Sequence, residues 1–160
     1  MAAKSLVDIH NIRLSIERIG NISDNIIRLG PVKFGLDGFL ELIPFAGEIY
    51  SLSAGAMMVI EGARARLPFT TLLSAVALIG LRTALGSPDI LVGPLLGAPT
   101  NLIATAFRAH HMVAEMMIKG IDATYYVEMS RAEAKANPDY DTLIGRITSG
   151  QEKRRIVFLG

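Results

Sequence analysis

Four acids, Asp37, Glu41, Glu48 and Asp89, and one base, Arg82, stand in or beside long apolar runs. A carboxylate in such a run is costly in lipid, so it is a functional suspect. Grouped, these acids would make a polar cluster, an ion site or a proton step. A structural reading competes and is preferred. Asp37 and Glu48 fall where first helical turns are expected, and a carboxylate there meets free backbone amides and the positive end of the helix dipole. Glu41 then faces headgroups. Arg82 and Asp89 are about two helical turns apart. They would pair on one helix, but Pro88 breaks it between them and favours separate reach to the interfaces. Glu41, Arg82 and Asp89 are thus the candidate intramembrane charges.

His10, His110 and His111 are the only histidines. Neighbours in a helix point about 100° apart, so His110 and His111 do not chelate one metal well, and neither is given a partner at i+4. His111 lies on an apolar stripe, where ligation of a pigment or haem iron is the sharp reading and a packed or interfacial histidine the preferred one. There is no cysteine, hence no disulfide, thiolate metal site or cysteine nucleophile. The methionines, including Met57, Met58, Met112, Met116 and Met117, read as adaptable core or interface residues. No GxSxG, HExxH, P-loop or GxGxxG occurs, and no serine has a histidine and orienting acid in view. No enzyme, cofactor or metal site is expected.

The composition agrees with that bias. Among 160 residues, 16 bases nearly balance 15 acids, 51% are apolar and 19% charged. Soluble domains carry about 25% charged residues. The deficit is local: from Leu67 to Phe107 only Arg82 and Asp89 are charged. Disorder is excluded by the hydropathy, and nucleic-acid binding through bulk charge by the near-neutrality.

Residues 5 to 29 read as an amphipathic helix with Ile9, Ile12, Ile16, Ile19 and Ile26 on one stripe, interrupted at Gly20. Ser5 and Asp8 have capping-box spacing. A short helix is expected from about Leu36 to Ile43, a break at Pro44 and Gly47, and a second helix from near Glu48 to about Arg66. Pro68 opens a third. The run Ile90–Phe107 has no charge but is cut by Gly93, Pro94, Gly97 and Pro99, the punctuation of broken or re-entrant helices. Small residues (Ser51, Gly55, Ala56, Ala75, Gly80) would let helices approach closely. One long helix is expected from about Pro99 to Ala136. Ile103, Phe107, Ala114, Ile118, Ile121, Tyr125 and Met129 form its stripe, and Asn137-Pro138 stops it. A short helix follows near Asp139, then the basic and apolar end EKRRIVFLG.

LIPFAGE (42–48) aligns with VGPLLGA (92–98), pairing Pro44 with Pro94 and Gly47 with Gly97. This suggests two helix–break–helix units about a pseudo-twofold axis. The stretch GLDGFLELIPFAGE, the small-residue helix after it and the second Pro–Gly break resemble the DUF4112 family of uncharacterised bacterial proteins. Asp37, Ile43, Pro44, Gly47 and Glu48 match the family's first copy. In the second, Ser87 and Ala98 stand where acids are usual. The resemblance covers roughly residues 30 to 120. It implies a small helical protein, often assigned to the membrane, and no activity.

The expectation is an all-α, membrane-embedded protein in three parts: an amphipathic helix (1–32), an apolar core of two helix–break–helix units (33–120) and a polar extension (121–160). It would contact lipid, bind a protein partner or a second copy, and avoid nucleic acid. Its role would be that of an accessory subunit or scaffold of a larger membrane complex. Ile118, Ile121, Tyr125 and Met129 are the expected partner interface. A soluble or peripheral bundle that homo-oligomerises is the alternative, and a small channel or transporter a third. Lys4, Arg13, Arg18, Arg28 and Lys33 before the core, and Arg108, Lys119, Arg131 and Lys135 after it, place both ends in the cytoplasm of a bacterial inner membrane. Arg64 and Arg66 run against that topology.

Overall fold

The structure, a computed structural model, describes residues 1–25, 27–29, 32–34, 46–86, 109–150 and 154–160. The described residues are mostly helical and include two small sheets. In chain order the elements are α1 (Leu6–Asn25), β1 (Ile27–Leu29), β2 (Val32–Phe34), α2 (Ala46–Arg64), α3 (Phe69–Gly86), α4 (Ala109–Asp122), β3 (Thr124–Val127), α5 (Arg131–Lys135), α6 (Pro138–Thr148) and β4 (Arg155–Phe158). Among the described residues, no helix is long and apolar enough to cross a membrane. The embedded core read from hydropathy gains no support there.

α1 starts where the capping box places it. The Asp8 amide donates to Ser5 Oγ at 3.0 Å, and the amides of Lys4 and Ser5 donate to Asp8 Oδ2 at 2.9 and 3.2 Å. These bonds satisfy donors that a helix start leaves open. The helix runs unbroken through Gly20 and ends earlier than expected, because Ile27–Leu29 is a strand paired antiparallel with Val32–Phe34. Ile9, Ile12 and Ile16 are buried, and Ile19 packs beside them. Their partner is α4, through Val113, Ala114, Met117 and Ile121. Arg13 at the edge of this seam reaches Asp122 at 3.1 Å. The pair is exposed and contributes at most about 1 kcal/mol.

α2 begins at Ala46, so Gly47 and Glu48 lie in its first turn and Gly47 is not a break residue. A glycine is tolerated there because the first-turn amides have no partner within the helix. Asp37, Glu41, Pro44, Asp89, Pro94 and Gly97 lie outside the described residues, as does the second half of the repeat. The turn Ala65–Pro68 joins α2 to α3, with Arg66 at φ 54°. The Pro68 carbonyl accepts the Leu72 amide at 3.2 Å, so Pro68 precedes α3 as expected.

The single long helix is corrected. α4 ends at Asp122, Ala123 turns the chain, and Thr124–Val127 is extended. The threonine, two tyrosines and valine here favour a pleated strand, and a partner is available: β4 lies parallel to β3, Tyr125 opposite Ile156 and Val127 opposite Phe158. The chain restarts as helix at Ser130. Its hydroxyl accepts the Glu133 amide at 3.2 Å while Glu133 accepts the Ser130 amide at 2.8 Å, a second capping box. Asn137 caps α6 by accepting the Asp139 amide at 3.0 Å. Helices α5 and α6 thus form the crossover that a parallel strand pair requires. The strand β4 puts Val157 in the core, and Leu159, just after it, is buried there as well.

Candidate functional site

α2 and α3 pack side by side, their inner faces meeting α1 and α4. Ser51, Ala54, Gly55, Met58 and Gly62 of α2, and Ala75, Ile79 and Arg82 of α3, are buried. Their spacing of three and four is that of one helical stripe. The opposite faces are exposed and equally apolar. On α2 the outer stripe is Ile49, Leu52, Ser53, Ala56, Met57 and Ile60; on α3 it is Phe69, Leu73, Val76, Ala77, Gly80 and Leu81. Phe69 is 76% and Ile49 65% exposed. No charged residue interrupts either stretch. Scattered exposed apolar residues need no explanation, but a contiguous patch without charge marks a contact surface.

The patch ends in cationic groups at the α2–α3 turn. Arg64 continues the outer stripe one turn beyond Ile60. Its guanidinium lies 2.9 Å from Glu61 and donates to the Met1 carbonyl at 3.2 Å. Arg66 donates to the Phe158 carbonyl, and Arg155 donates in turn to the Arg66 carbonyl. Arg154 covers the Tyr125 ring at 5.5 Å. The Tyr126 hydroxyl donates to the Ala65 carbonyl at 2.8 Å, and burial pushes its pKa up. β3 and β4 therefore clasp the hairpin turn.

Arg82 is buried on the inner stripe of α3 rather than extended to an interface, because it falls at i+3 from Ile79. His110 is also buried, and the fold brings it to Ser51. Nε2 lies 3.0 Å from the Ser51 carbonyl oxygen and 3.4 Å from Ser51 Oγ. Sequence reasoning missed this pair, whose members are 59 residues apart. It is not a nucleophile–base dyad: Nε2 bonded to a carbonyl must carry the proton, so it cannot take one from the hydroxyl. His111 does have a partner one turn on, Glu115, with Nε2 3.2 Å from Oε1. The expected lack of an i+4 partner is corrected. Among the described residues, no group of three or more His, Asp or Glu could hold a metal ion.

The expected partner interface is divided by the fold. Ile121 is buried at 4% exposure in the protein's own core, with Ile118 half-buried beside it. Tyr125 is exposed on β3 and Met129 is half-buried in the turn after it. A stripe at helical spacing cannot present one face when half of it is strand.

No curated protein and no solved structure matches the chain. A family description, "domain of unknown function (DUF4112)", matches residues 12–121. The match takes in most of α1, beyond the residues that carried the resemblance, and it stops as α4 ends. Most of the α1–α4 seam is therefore inside the matched region, with Ile9 and Asp122 just beyond its ends, and the chain belongs to the DUF4112 family.

Proposed function

We propose that the protein is a non-enzymatic, membrane-associated helical module that serves as a structural subunit or scaffold of a larger complex at a bacterial inner membrane. The uncharged outer face of the α2–α3 hairpin carries this reading. A face of that composition gains from leaving water. The charge-free run Ile90–Phe107 adds to the same hydropathy. Lysines and arginines flanking the apolar region argue for both ends on the cytoplasmic side. The buried His110, held against the Ser51 carbonyl, is read as a packing residue in this module.

Fractionation of native cells tests the proposal. The protein should sediment with membranes, and in mild detergent it should migrate with a larger partner. Recovery in the soluble fraction as a small homo-oligomer would replace this reading with that of a self-associating bundle.

A further inference from the structure

We infer that the outer face of the α2–α3 hairpin lies flat on an anionic lipid bilayer, with the arginines of the hairpin turn at the headgroup phosphates. This rests on the membrane-associated reading above and adds the surface and the lipid class. Three observations lead to it.

The first is the absence of charge from Ile49 to Ile60 and from Phe69 to Leu81, on faces that point away from the core. The second is charge at one end. Arg64, Arg66 and Arg155 gather at the turn through their contacts with the Met1, Phe158 and Arg66 carbonyls. A carbonyl accepts a hydrogen bond without cancelling the charge of the donor. Glu61, 2.9 Å from Arg64, offsets one of the three. Asp8 also faces Arg64, and since hydrogen bonds from the amides of Lys4 and Ser5 leave its carboxylate charged, it offsets a second. Glu128, which accepts the Leu6 amide, is a third acid at the same end, but Lys4 beside Asp8 and Arg154 over the Tyr125 ring are two further bases, so base stays in excess. A cationic rim beside an apolar face is complementary to an anionic membrane surface.

The third is size. Twelve helical residues span about 18 Å, and two adjacent helices are about 20 Å wide. The patch therefore has an outline of about 350 Å² on one side of the molecule, which a bilayer surface covers whole. A bilayer requires no matching shape, and an amphipathic surface enters the headgroup region by only about 5–10 Å.

Flotation of the full-length protein with vesicles is the test. One set is phosphatidylcholine alone; the other contains about one third phosphatidylglycerol. Wild type should float with the anionic vesicles and lose affinity as salt rises. Val76→Glu with Ile60→Glu should remove binding, since both positions are exposed and the core is untouched; circular dichroism verifies the fold. Arg64→Gln with Arg155→Gln should weaken binding to anionic vesicles about fivefold per arginine and flatten the salt dependence. Phe69→Trp supplies a readout that needs no loss of function: its emission should shift to the blue on anionic vesicles and be quenched by brominated acyl chains. Equal flotation of the face variant and wild type, or an unshifted emission from the Phe69→Trp variant, would overturn the surface assignment even if the native protein fractionates with membranes. A dimer that Val76→Glu dissociates, with no flotation of wild type, would assign the face to a second copy instead.

Discussion

Gly20 of α1 and Ala114 of α4 are in such close register that a Cβ added at residue 20 would stand 2.5 Å from the Ala114 Cβ. The neighbouring atom is fixed to backbone, so no side-chain rotation relieves it. Gly20→Ala would gain about 1 kcal/mol of helix propensity, yet overpacking costs about 1–3 kcal/mol. The expected result in urea denaturation is a net loss of about 1 kcal/mol. Ala114→Gly in the same chain should recover most of the contact term. An increase in stability for Gly20→Ala alone would show that the seam is looser than this distance.

Gly80 is the converse case. It is exposed in the interior of α3, and a methyl group added there would meet nothing within 4 Å. Gly80→Ala should raise stability by about 1 kcal/mol, because only the backbone entropy term remains. The same denaturation series reads it.

Ile121→Glu and Tyr125→Glu separate core from surface. Ile121 belongs to the buried cluster shared with α1, and an unpaired carboxylate there should cost about 3 kcal/mol or more. Tyr125 is 37% exposed, and its substitution should stay within about 1 kcal/mol. Thermal melts of the two single variants decide the matter. Equal tolerance would return Ile121 to the set of docking residues.

Asp8 governs an acid-sensitive term. Its pKa is lowered chiefly by the amide of Lys4, then by the Ser5 amide and hydroxyl and by the charge of Arg64. A folded-state pKa below the unfolded one contributes stability above the ordinary carboxylate range, and that contribution is lost as pH falls through the lowered value. Glu133, held down by the Ser130 hydroxyl and amide, follows the same sign. Asp8→Asn should therefore be less stable than wild type at pH 7, with the difference shrinking as the pH is taken below about 4. A constant difference across that range would show that the carboxylate's charge is not involved.

Ser51→Ala and His110→Ala should differ. The imidazole lies nearer the Ser51 carbonyl, which every substitution at 51 retains. Losing the hydroxyl should cost about 0.5–1.5 kcal/mol. Removing the fully buried ring should cost about 2–5 kcal/mol. Comparable losses would mean that the hydroxyl, not the carbonyl, holds the ring.

Much of this fold was legible in local pattern. The isoleucine stripe of α1, the Ser5–Asp8 cap and the place of Pro68 depend on residues within four positions of one another, and helix physics acts over that range. The strand at Thr124–Val127 was hidden because Ile118, Ile121, Tyr125 and Met129 keep helical spacing straight across it. The β-branched and aromatic run TYYV was the available signal, but four residues are too few to show alternation. The partner strand at Arg155–Phe158 was farther off still. Ser51 and His110 meet only after α2 and α4 have docked. The hairpin face was legible as a lack of charge. Which side of each helix faces out depends on packing, since inner and outer stripes are alike in hydropathy.

The seam between α1 and α4 also has a history in time. Residue 20 leaves the ribosome well before residue 114 exists, and at about 5–20 residues per second the delay is roughly 5–20 s. During that interval the stripe of Ile9, Ile12 and Ile16 lacks the α4 side chains that cover it in the finished fold. Helix α1 is thus secured in two stages, and a nascent chain arrested before Ala109 can pack α1 on α2 but leaves bare the part of the isoleucine ridge that α4 covers.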